Sequence, residues 1–223
     1  MIAAPSTYSS VYYSVVSQLP PGSVVTFPNV TWEEYEELLE QIGEAGHLRI
    51  SYNSGVLKAM SVSLEHEKYA DFFKSMMTII RLRLRLNILF SGSATMRKKK
   101  KTKGNEPDAG FYVQTAAIVG NRLDLNFEVD PPPDIVVEVD IHHDSTRSDA
   151  IYAALGVPEI WRYDGAETTI HLLQGEAYVE AEVSRALPML TAAVLTEYLK
   201  RMREDGEFEA TLAFDEWLQT LPQ

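Results

Sequence analysis

Acidic side chains interrupt two apolar stretches of this sequence, and their spacing suggests a shared chemistry. Asp108 stands directly before Ala-Gly-Phe-Tyr-Val, and Glu138 and Asp140 lie within Ile-Val-Val-Glu-Val-Asp. An ionised carboxylate in a buried strand is costly unless it is paired, hydrogen-bonded or bound to a cation. These three acids are therefore candidates for a chemical site rather than for solvent-exposed surface.

Strand geometry separates the candidates from one another. Alternation of side chains along a strand directs Asp134, Glu138 and Asp140 to one face. At roughly 3.3 Å per residue, Asp140 lies about 7 Å from Glu138, whereas Asp134 lies about 13 Å away. An adjacent strand, roughly 5 Å away, would bring Asp108 beside Glu138. We therefore interpret Asp108 and Glu138 as a Mg²⁺ (or Mn²⁺) site completed by water and a substrate phosphate, and Asp134 as a capping side chain.

The elements before the acids follow from helical periodicity and turn residues. Thr31 is typical of a helix N-cap, and Gly43 or Gly46 ends that helix. Asn53-Ser54-Gly55 predicts a hairpin between strands at 48–52 and 56–60. Ser63 caps a long helix that runs to about Leu86, with a Met and aromatic stripe expected in the core. Residues 81–86 alternate like a strand, so the end of this helix stays open.

The elements around and after the acids alternate between strands and helices. We predict strands at 109–114, 134–141, 159–163 and 168–173, a short helix at 148–155, and a helical tail from about 190 to 218 with a break at Asp205-Gly206. This order predicts an α/β (α+β) sheet domain flanked by helices. The expected organisation is an extended leader at 1–30, the core at 31–180, and a C-terminal helical extension at 181–223 packed on the same domain.

Several ordered segments of the chain resemble the Uma-type family of restriction endonucleases in the PD-(D/E)XK nuclease superfamily. The resemblance covers about 31–217. The segments that carry it are Ile50-Ser51-Tyr52, Gly55-Val56-Leu57, Met60-Ser61, Glu65-His66-Glu67, Glu106-Pro107-Asp108, the run from Pro133 to Val139, and the run from Tyr152 to Tyr163. Each segment is unspecific by itself, but their joint order and spacing are specific.

The resemblance implies a restriction-endonuclease-like core, with a mixed sheet flanked by helices. It also implies that Asp108 and Glu138 bind a divalent metal, which polarises the phosphate and activates a water molecule. His66 matches a family histidine, either orienting a ligand or making a structural hydrogen bond. Tyr152, Trp161 and Tyr163 match family positions and are interpreted as core.

The sequence departs from the family pattern where a cation is expected. Asp140 stands where the superfamily has a lysine, and a carboxylate there opposes the negative charge of the transition state. Ser148 occupies a second position at which relatives often carry Lys or Arg, with Arg147 next to it as a substitute. Lys58 is another candidate cation, although relatives often carry an acid there. His142, His143 and Asp144 follow the strand and are interpreted as a solvated loop.

A basic tract lies just upstream of Asp108. It places six of the chain's 20 cations, with no acid among them, at Arg97, Lys98, Lys99, Lys100, Lys101 and Lys103. The tract is either a solvated, mobile loop or a phosphate-contacting segment. Because it ends five residues before Asp108, it should reach the rim of any metal site there.

Composition limits the remaining function classes. The formal charge is −12, which argues against a protein that coats nucleic acid nonspecifically. The chain has no cysteine, which excludes disulfides, thiolate zinc sites and a cysteine nucleophile. We find neither a long apolar run nor the pattern of a signal peptide, so we expect a cytoplasmic protein with no membrane association. The sequence also has no P-loop and no G-x-G-x-x-G motif, and we expect no organic cofactor.

These observations predict a metal-dependent DNA endonuclease that acts as a homodimer, because two-fold symmetry suits double-strand cleavage. The alternatives are a nuclease-derived DNA-binding module that has lost catalysis, which Asp140 favours, and a protein-interaction domain with an acidic face.

Overall fold

The computed structural model describes residues 7–43, 47–141 and 148–221. Its helices are α1 (Thr7–Val16), α2 (Trp32–Ile42), α3 (Leu64–Arg83), α4 (Ala116–Val119), α5 (Asp149–Leu155), α6 (Ala192–Glu204) and α7 (Glu207–Thr220). Its strands are β1 (Val24–Phe27), β2 (Leu48–Asn53), β3 (Val56–Ser61), β4 (Leu89–Phe90), β5 (Met96–Lys98), β6 (Lys103–Asn105), β7 (Ala109–Tyr112), β8 (Ile135–Val139), β9 (Glu159–Tyr163), β10 (Thr168–Gln174) and β11 (Ala177–Ala181).

Two sheets organise the chain. The first sheet has the order β1-β3-β2-β6-β5 and is antiparallel throughout. The second has the order β11-β10-β9-β8-β7-β4, and its β8–β9 pair is parallel while its other pairs are antiparallel. The predicted α/β class with a mixed sheet and flanking helices is confirmed.

Apolar and polar side chains alternate along β2 and β3, so the two faces of the first sheet differ in polarity. Its apolar face consists of Ile50, Tyr52, Leu57 and Ala59, which pack with Tyr35 of α2. Thr31 and Glu34 form a capping box that starts α2 as the sequence indicated. Residues between these apolar positions must project from the other face, away from α2.

Helix α3 supplies the core of the second sheet. Ser63 caps it, and Phe72, Phe73 and Met76 are buried with the β8 residue Val137. The Met and aromatic stripe is thus core, as expected. The helix continues to Arg83, so helical packing prevails over the local alternation of residues 81–86 at its last turn.

The prediction of an extended leader at 1–30 is wrong for the part of it that the structure describes. Residues 7–16 form α1, and Val24 of β1 pairs with Met60 of β3. Val16 is fully buried in the cluster that contains Tyr35. A four-residue strand is stabilised by its partner in the sheet rather than by a local pattern, so composition alone did not reveal it.

The C-terminal tail forms two helices that break at Asp205-Gly206, as predicted. Gly206 has a φ of 97°, a left-handed conformation that ends α6 and reverses the chain. Arg83 at the end of α3 binds Asp215 of α7 through both carboxylate oxygens. The division of the chain into core and extension at residue 181 stays a prediction.

Among the described residues, no helix combines the length and apolar character that crossing a membrane requires.

Candidate active site

Asp108 and Glu138 lie side by side in the second sheet. The antiparallel register pairs Ala109 with Val137, and the Asp108 amide donates to the Val137 carbonyl over 3.0 Å. Both acids are almost completely buried, with 2% and 7% of their surface exposed. The predicted juxtaposition of these two carboxylates on adjacent strands is therefore confirmed.

Three groups surround the Asp108 carboxylate. Arg49 of β2 donates from Nε to Oδ1 over 3.2 Å, and the Val139 amide donates to Oδ2 over 2.8 Å. His66, in the first turn of α3, places Nε2 3.1 Å from Oδ2. No hydrogen bond joins the two side chains, so His66 lies against Asp108 as a close neighbour. The carboxylate is held in one orientation from three sides.

Glu138 is held by two neutral donors. Tyr152 of α5 donates its hydroxyl hydrogen to Oε1, and Asn105 of β6 donates from Nδ2 over 3.3 Å. The pKa of Glu138 is raised to about 8, chiefly by burial and next by the neighbouring charge of Asp108, while Arg162 acts in the opposite direction. A carboxyl group in this environment takes up a proton unless a cation compensates its charge.

Asp140 is neutralised by an arginine on the next strand. Arg162 of β9 donates from Nη1 to Asp140 Oδ2 over 2.9 Å, and its Nη2 binds Asp149 at the start of α5. The parallel register also sets Arg162 opposite Glu138. The carboxylate at the lysine position of the superfamily is thus one half of an ion pair, and its charge does not face the Asp108–Glu138 pair uncompensated.

A cavity of about 30 Å³ opens between the two sheets at these acids. Asp108, Glu138 and Asp140 line it from the second sheet, and Ser148 lines it from the residue before α5. The first sheet and the residue that follows β6 contribute Arg49, Ser51, Lys58, Met60, Asn105 and Glu106. The cavity therefore has one wall with three acids and an opposite wall that carries two cations, an amide and the Glu106 carboxyl group.

The donor set fits a hard divalent cation. Among the described residues, no group of three or more His, Cys, Asp or Glu side chains is arranged to hold a metal ion. Magnesium is commonly bound by only one or two carboxylates, with water and substrate phosphate completing the octahedron. The buried Asp108–Glu138 pair offers two such oxygen ligands beside the cavity.

Asp134 has the capping role that the sequence indicated. Its Oδ2 accepts from the amides of Val113 and Thr115 over 2.7 and 2.9 Å, and from the Thr115 hydroxyl over 3.0 Å. These bonds fix the end of β7 against the start of β8. Asp134 thereby positions the two strands that carry the acids.

The basic tract is an ordered element of the first sheet. Strands β5 and β6 pair antiparallel, and a 3₁₀ turn at Lys99–Lys101 connects them. We call residues 96–105 the basic hairpin. The expectation of a mobile loop is wrong, because pairing of β6 with β2 fixes both strands in the sheet.

The six cations of the basic hairpin divide into two groups. One group binds the protein itself: Lys98 Nζ donates to the Leu155 carbonyl (3.0 Å), Lys99 Nζ contacts Glu33 (3.1 Å), and Lys103 Nζ donates to Ser54 Oγ (3.0 Å). The other group, Arg97, Lys100 and Lys101, is exposed. Lys99 is exposed as well, but its ammonium group is paired with Glu33.

The candidate cation Arg147 lies outside the described residues. So do His142, His143 and Asp144, which were interpreted as a solvated loop.

Sequence reasoning missed the roles of Arg49, Asn105 and Arg162, and it assigned Tyr152 to the core alone. A charged residue inside the apolar strand Glu-Ile-Trp-Arg-Tyr was a signal for Arg162, because such a residue needs a buried partner. Arg49 occupies a polar position in an alternating strand, but its partner Asp108 is 59 residues away.

The chain thus has an α/β fold in which adjacent strands of a mixed sheet bury paired acids beside a cavity. It belongs to the Uma2 family, described as "Putative restriction endonuclease", whose model matches residues 32–200. This match confirms the resemblance drawn from the motifs and supports a nuclease.

One solved structure similar to this chain is that of "a putative nuclease belonging to DUF820" from Anabaena variabilis. The two have a TM-score of 0.46 and 10% sequence identity, and the similarity covers 67% of this chain and 90% of that one. A comparison with curated proteins found no match.

Proposed function

We propose that this protein is a metal-dependent endonuclease that hydrolyses phosphodiester bonds of DNA with water activated by Mg²⁺ (or Mn²⁺). The observation that carries the proposal is the buried Asp108–Glu138 pair at the wall of a cavity. Family membership supports the same class of reaction.

Asp108 and Glu138 would hold the cation, which supplies charge stabilisation at the phosphate and lowers the pKa of a bound water. The other residues of the site position these two ligands. Arg49 and the Val139 amide orient Asp108, while Tyr152 and Asn105 orient Glu138. Donors fixed in this way keep the ligand oxygens in place before substrate arrives, so little reorganisation is needed during the reaction.

We propose the exposed part of the basic hairpin as the DNA-binding surface. Arg97, Lys100 and Lys101 are exposed, and β6 of the same hairpin ends at Asn105, whose side chain contacts Glu138. A phosphate backbone bound at the turn would therefore lie on the element that reaches the acids. The acidic remainder of the chain would concentrate the attraction for DNA at this hairpin.

Double-strand cleavage would require two such sites, and we propose a homodimer for that reason. Sedimentation of the protein with and without a DNA duplex would test this part of the proposal separately.

The central experiment is cleavage of supercoiled plasmid with Mg²⁺ or Mn²⁺. The wild-type protein should nick or linearise the plasmid, and a chelator should stop it. The double variant Asp108→Asn/Glu138→Gln should lose at least about 100-fold in rate, as expected when charge stabilisation of the transition state is removed. The matched control is Glu209→Gln/Glu216→Gln, which removes the same charge from exposed positions on α7. Equal nicking by the wild type and the double variant of the acids would refute the proposal.

A second function is favoured by one observation, the carboxylate of Asp140 at the lysine position. The chain would then be a nuclease-derived module that binds DNA without cleaving it. Salt-dependent binding of a duplex, together with no cleavage in either metal, would establish this alternative.

A further inference from the structure

The inner face of the first sheet carries a row of polar residues aligned across its strands. Lys58 of β3 pairs with Ser51 of β2, and Ser51 pairs with Asn105 of β6. Directly paired residues in an antiparallel sheet project to the same face. Because the Asn105 side chain contacts Glu138, this face of the sheet is turned toward the acids, and Lys58 shares it.

Distance and burial place the Lys58 ammonium group within reach of the cavity. Lys58 lies two strands from Asn105, which is about 10 Å between backbones. Its flexible four-carbon stem can span much of that distance. Lys58 is half-buried and lines the cavity together with Asp108, Glu138 and Asp140.

Among the residues that the structure describes, the other cations near the cavity are already bound to carboxylates. Arg49 contacts Asp108 and Glu67, and Arg162 is divided between two aspartates of its own. Within residues 7–43, 47–141 and 148–221, the Lys58 side chain has no hydrogen bond or ion pair. Its charge remains available to a ligand that enters the cavity.

We infer that Lys58 is a catalytic residue that binds the phosphate undergoing attack. Lys58 supplies the positive charge from the first sheet, because residue 140, beside the second sheet, is an aspartate and cannot supply it. This inference rests on the proposed function. It would explain how a carboxylate is tolerated at residue 140: Arg162 neutralises that carboxylate, and the cation acts from the opposite wall of the cavity.

In the hydrolysis of a phosphodiester, Lys58 would stabilise negative charge. Water oxygen forms a new bond to phosphorus, the bond from phosphorus to the leaving oxygen breaks, and the products are a phosphomonoester and a free hydroxyl. One water proton is released to solvent, and the leaving oxygen takes up one proton. During this exchange negative charge accumulates on the non-bridging oxygens. The Lys58 ammonium donates hydrogen bonds to one of them and keeps its own protons throughout.

The test compares Lys58→Met and Lys58→Arg with the wild type under single-turnover conditions with Mg²⁺. We expect Lys58→Met to slow cleavage roughly 10²- to 10³-fold, the usual effect of removing one donor to transition-state charge. Lys58→Arg should recover at least part of the rate. Lys200→Met, an exposed lysine on α6, is the control and should cleave like the wild type.

A second measurement separates catalysis from folding and binding. Duplex affinity is measured in Ca²⁺, and thermal unfolding is followed without DNA. We expect Lys58→Met to keep the affinity within about threefold and the unfolding midpoint near the wild-type value. An equal loss of affinity and rate would overturn a catalytic role.

The remaining outcomes are also decisive. If the wild type cleaves and Lys58→Met cleaves equally fast, the inference is overturned while the proposed function stands. The same holds if Arg147→Met abolishes cleavage and Lys58→Met does not. If the wild type fails to cleave at all, both are overturned.

Discussion

Tyr152 of α5 donates a hydrogen bond to Glu138 of β8, so the helix that follows the candidate site fixes one of its acids. Both residues are fully or almost fully buried. Burial and the adjacent carboxylate also raise the pKa of the Tyr152 hydroxyl, which keeps it protonated as a donor. Through this hydrogen bond, the position of α5 affects the charge of Glu138.

Replacing Tyr152 by Phe should raise the pKa of Glu138 above its value of about 8, because the Tyr152 hydrogen bond lowers it. A larger fraction of Glu138 is then protonated at neutral pH, and Mg²⁺ affinity should fall several-fold. Calorimetric titration with Mg²⁺ at pH 7 measures this change. Tyr178→Phe is the matched control, since its hydroxyl donates to the Val157 carbonyl outside the cavity. Identical Mg²⁺ affinities for the wild type and Tyr152→Phe would contradict the prediction.

The stability of the metal-free protein should depend on pH through Glu138. Its pKa is 4.5 in the unfolded reference and about 8 in the folded protein, so between these values the folded state binds the additional proton. The free energy of unfolding must therefore fall as pH rises from about 5 to 8. Urea denaturation at several pH values in chelator measures the slope.

Glu138→Gln should flatten this slope without removing it. Glu106 contributes in the same direction, because its burial also raises its pKa. Glu209→Gln, at an exposed site, should keep the wild-type slope. A slope as steep in Glu138→Gln as in the wild type would show that other groups cause it.

Arg162→Met should destabilise the fold by about 3–5 kcal/mol, because it removes a buried cation that pairs with both Asp140 and Asp149. Arg162 itself is 6% exposed. Adding Asp140→Asn should restore part of the loss, since one of the two carboxylates that Arg162 paired with then loses its charge. Arg201→Met, which breaks an exposed pair with Glu197, should change stability by less than about 1 kcal/mol. Chemical denaturation at pH 7 measures all of these variants, and no recovery in the double variant would contradict the ion-pair argument.

Replacing Lys100 and Lys101 by Ser should weaken DNA binding mainly at low salt. Each phosphate contact contributes about 0.9 to the slope of log affinity against log salt concentration, so this slope should decrease by about 2. Fluorescence anisotropy with a labelled duplex at several salt concentrations measures it. Lys68→Ser/Lys200→Ser removes the same charge elsewhere and should leave the slope nearly unchanged. Equal slopes for the two double variants would exclude the turn of the basic hairpin as a phosphate-binding site.

The acids of the site were predictable from sequence, because a charged side chain within a short apolar stretch is unfavourable unless it has a partner. Glu138 lies among valines, and that conflict is visible without knowing the fold. The helix caps at Thr31 and Ser63 were equally local, since each is satisfied within three residues.

The groups that hold the acids were harder to predict, because each acts across the fold. Arg49 reaches Asp108 only after two sheets are apposed, and Tyr152 reaches Glu138 only after α5 packs on β8. Strands of two or three residues, such as β4 and β6, are too short to show a period. Their existence depends on longer partners elsewhere in the chain.

The hydrogen bond from the Val139 amide to Asp108 has a practical consequence. The resonance of an amide proton is sensitive to the charge on the oxygen that accepts it. A single backbone signal in a ¹⁵N-labelled sample would thus report whether the carboxylate is bare, protonated or metal-bound. The Val139 amide is thus a native spectroscopic reporter in the cavity lining, and no extrinsic probe has to be attached to a side chain of the site.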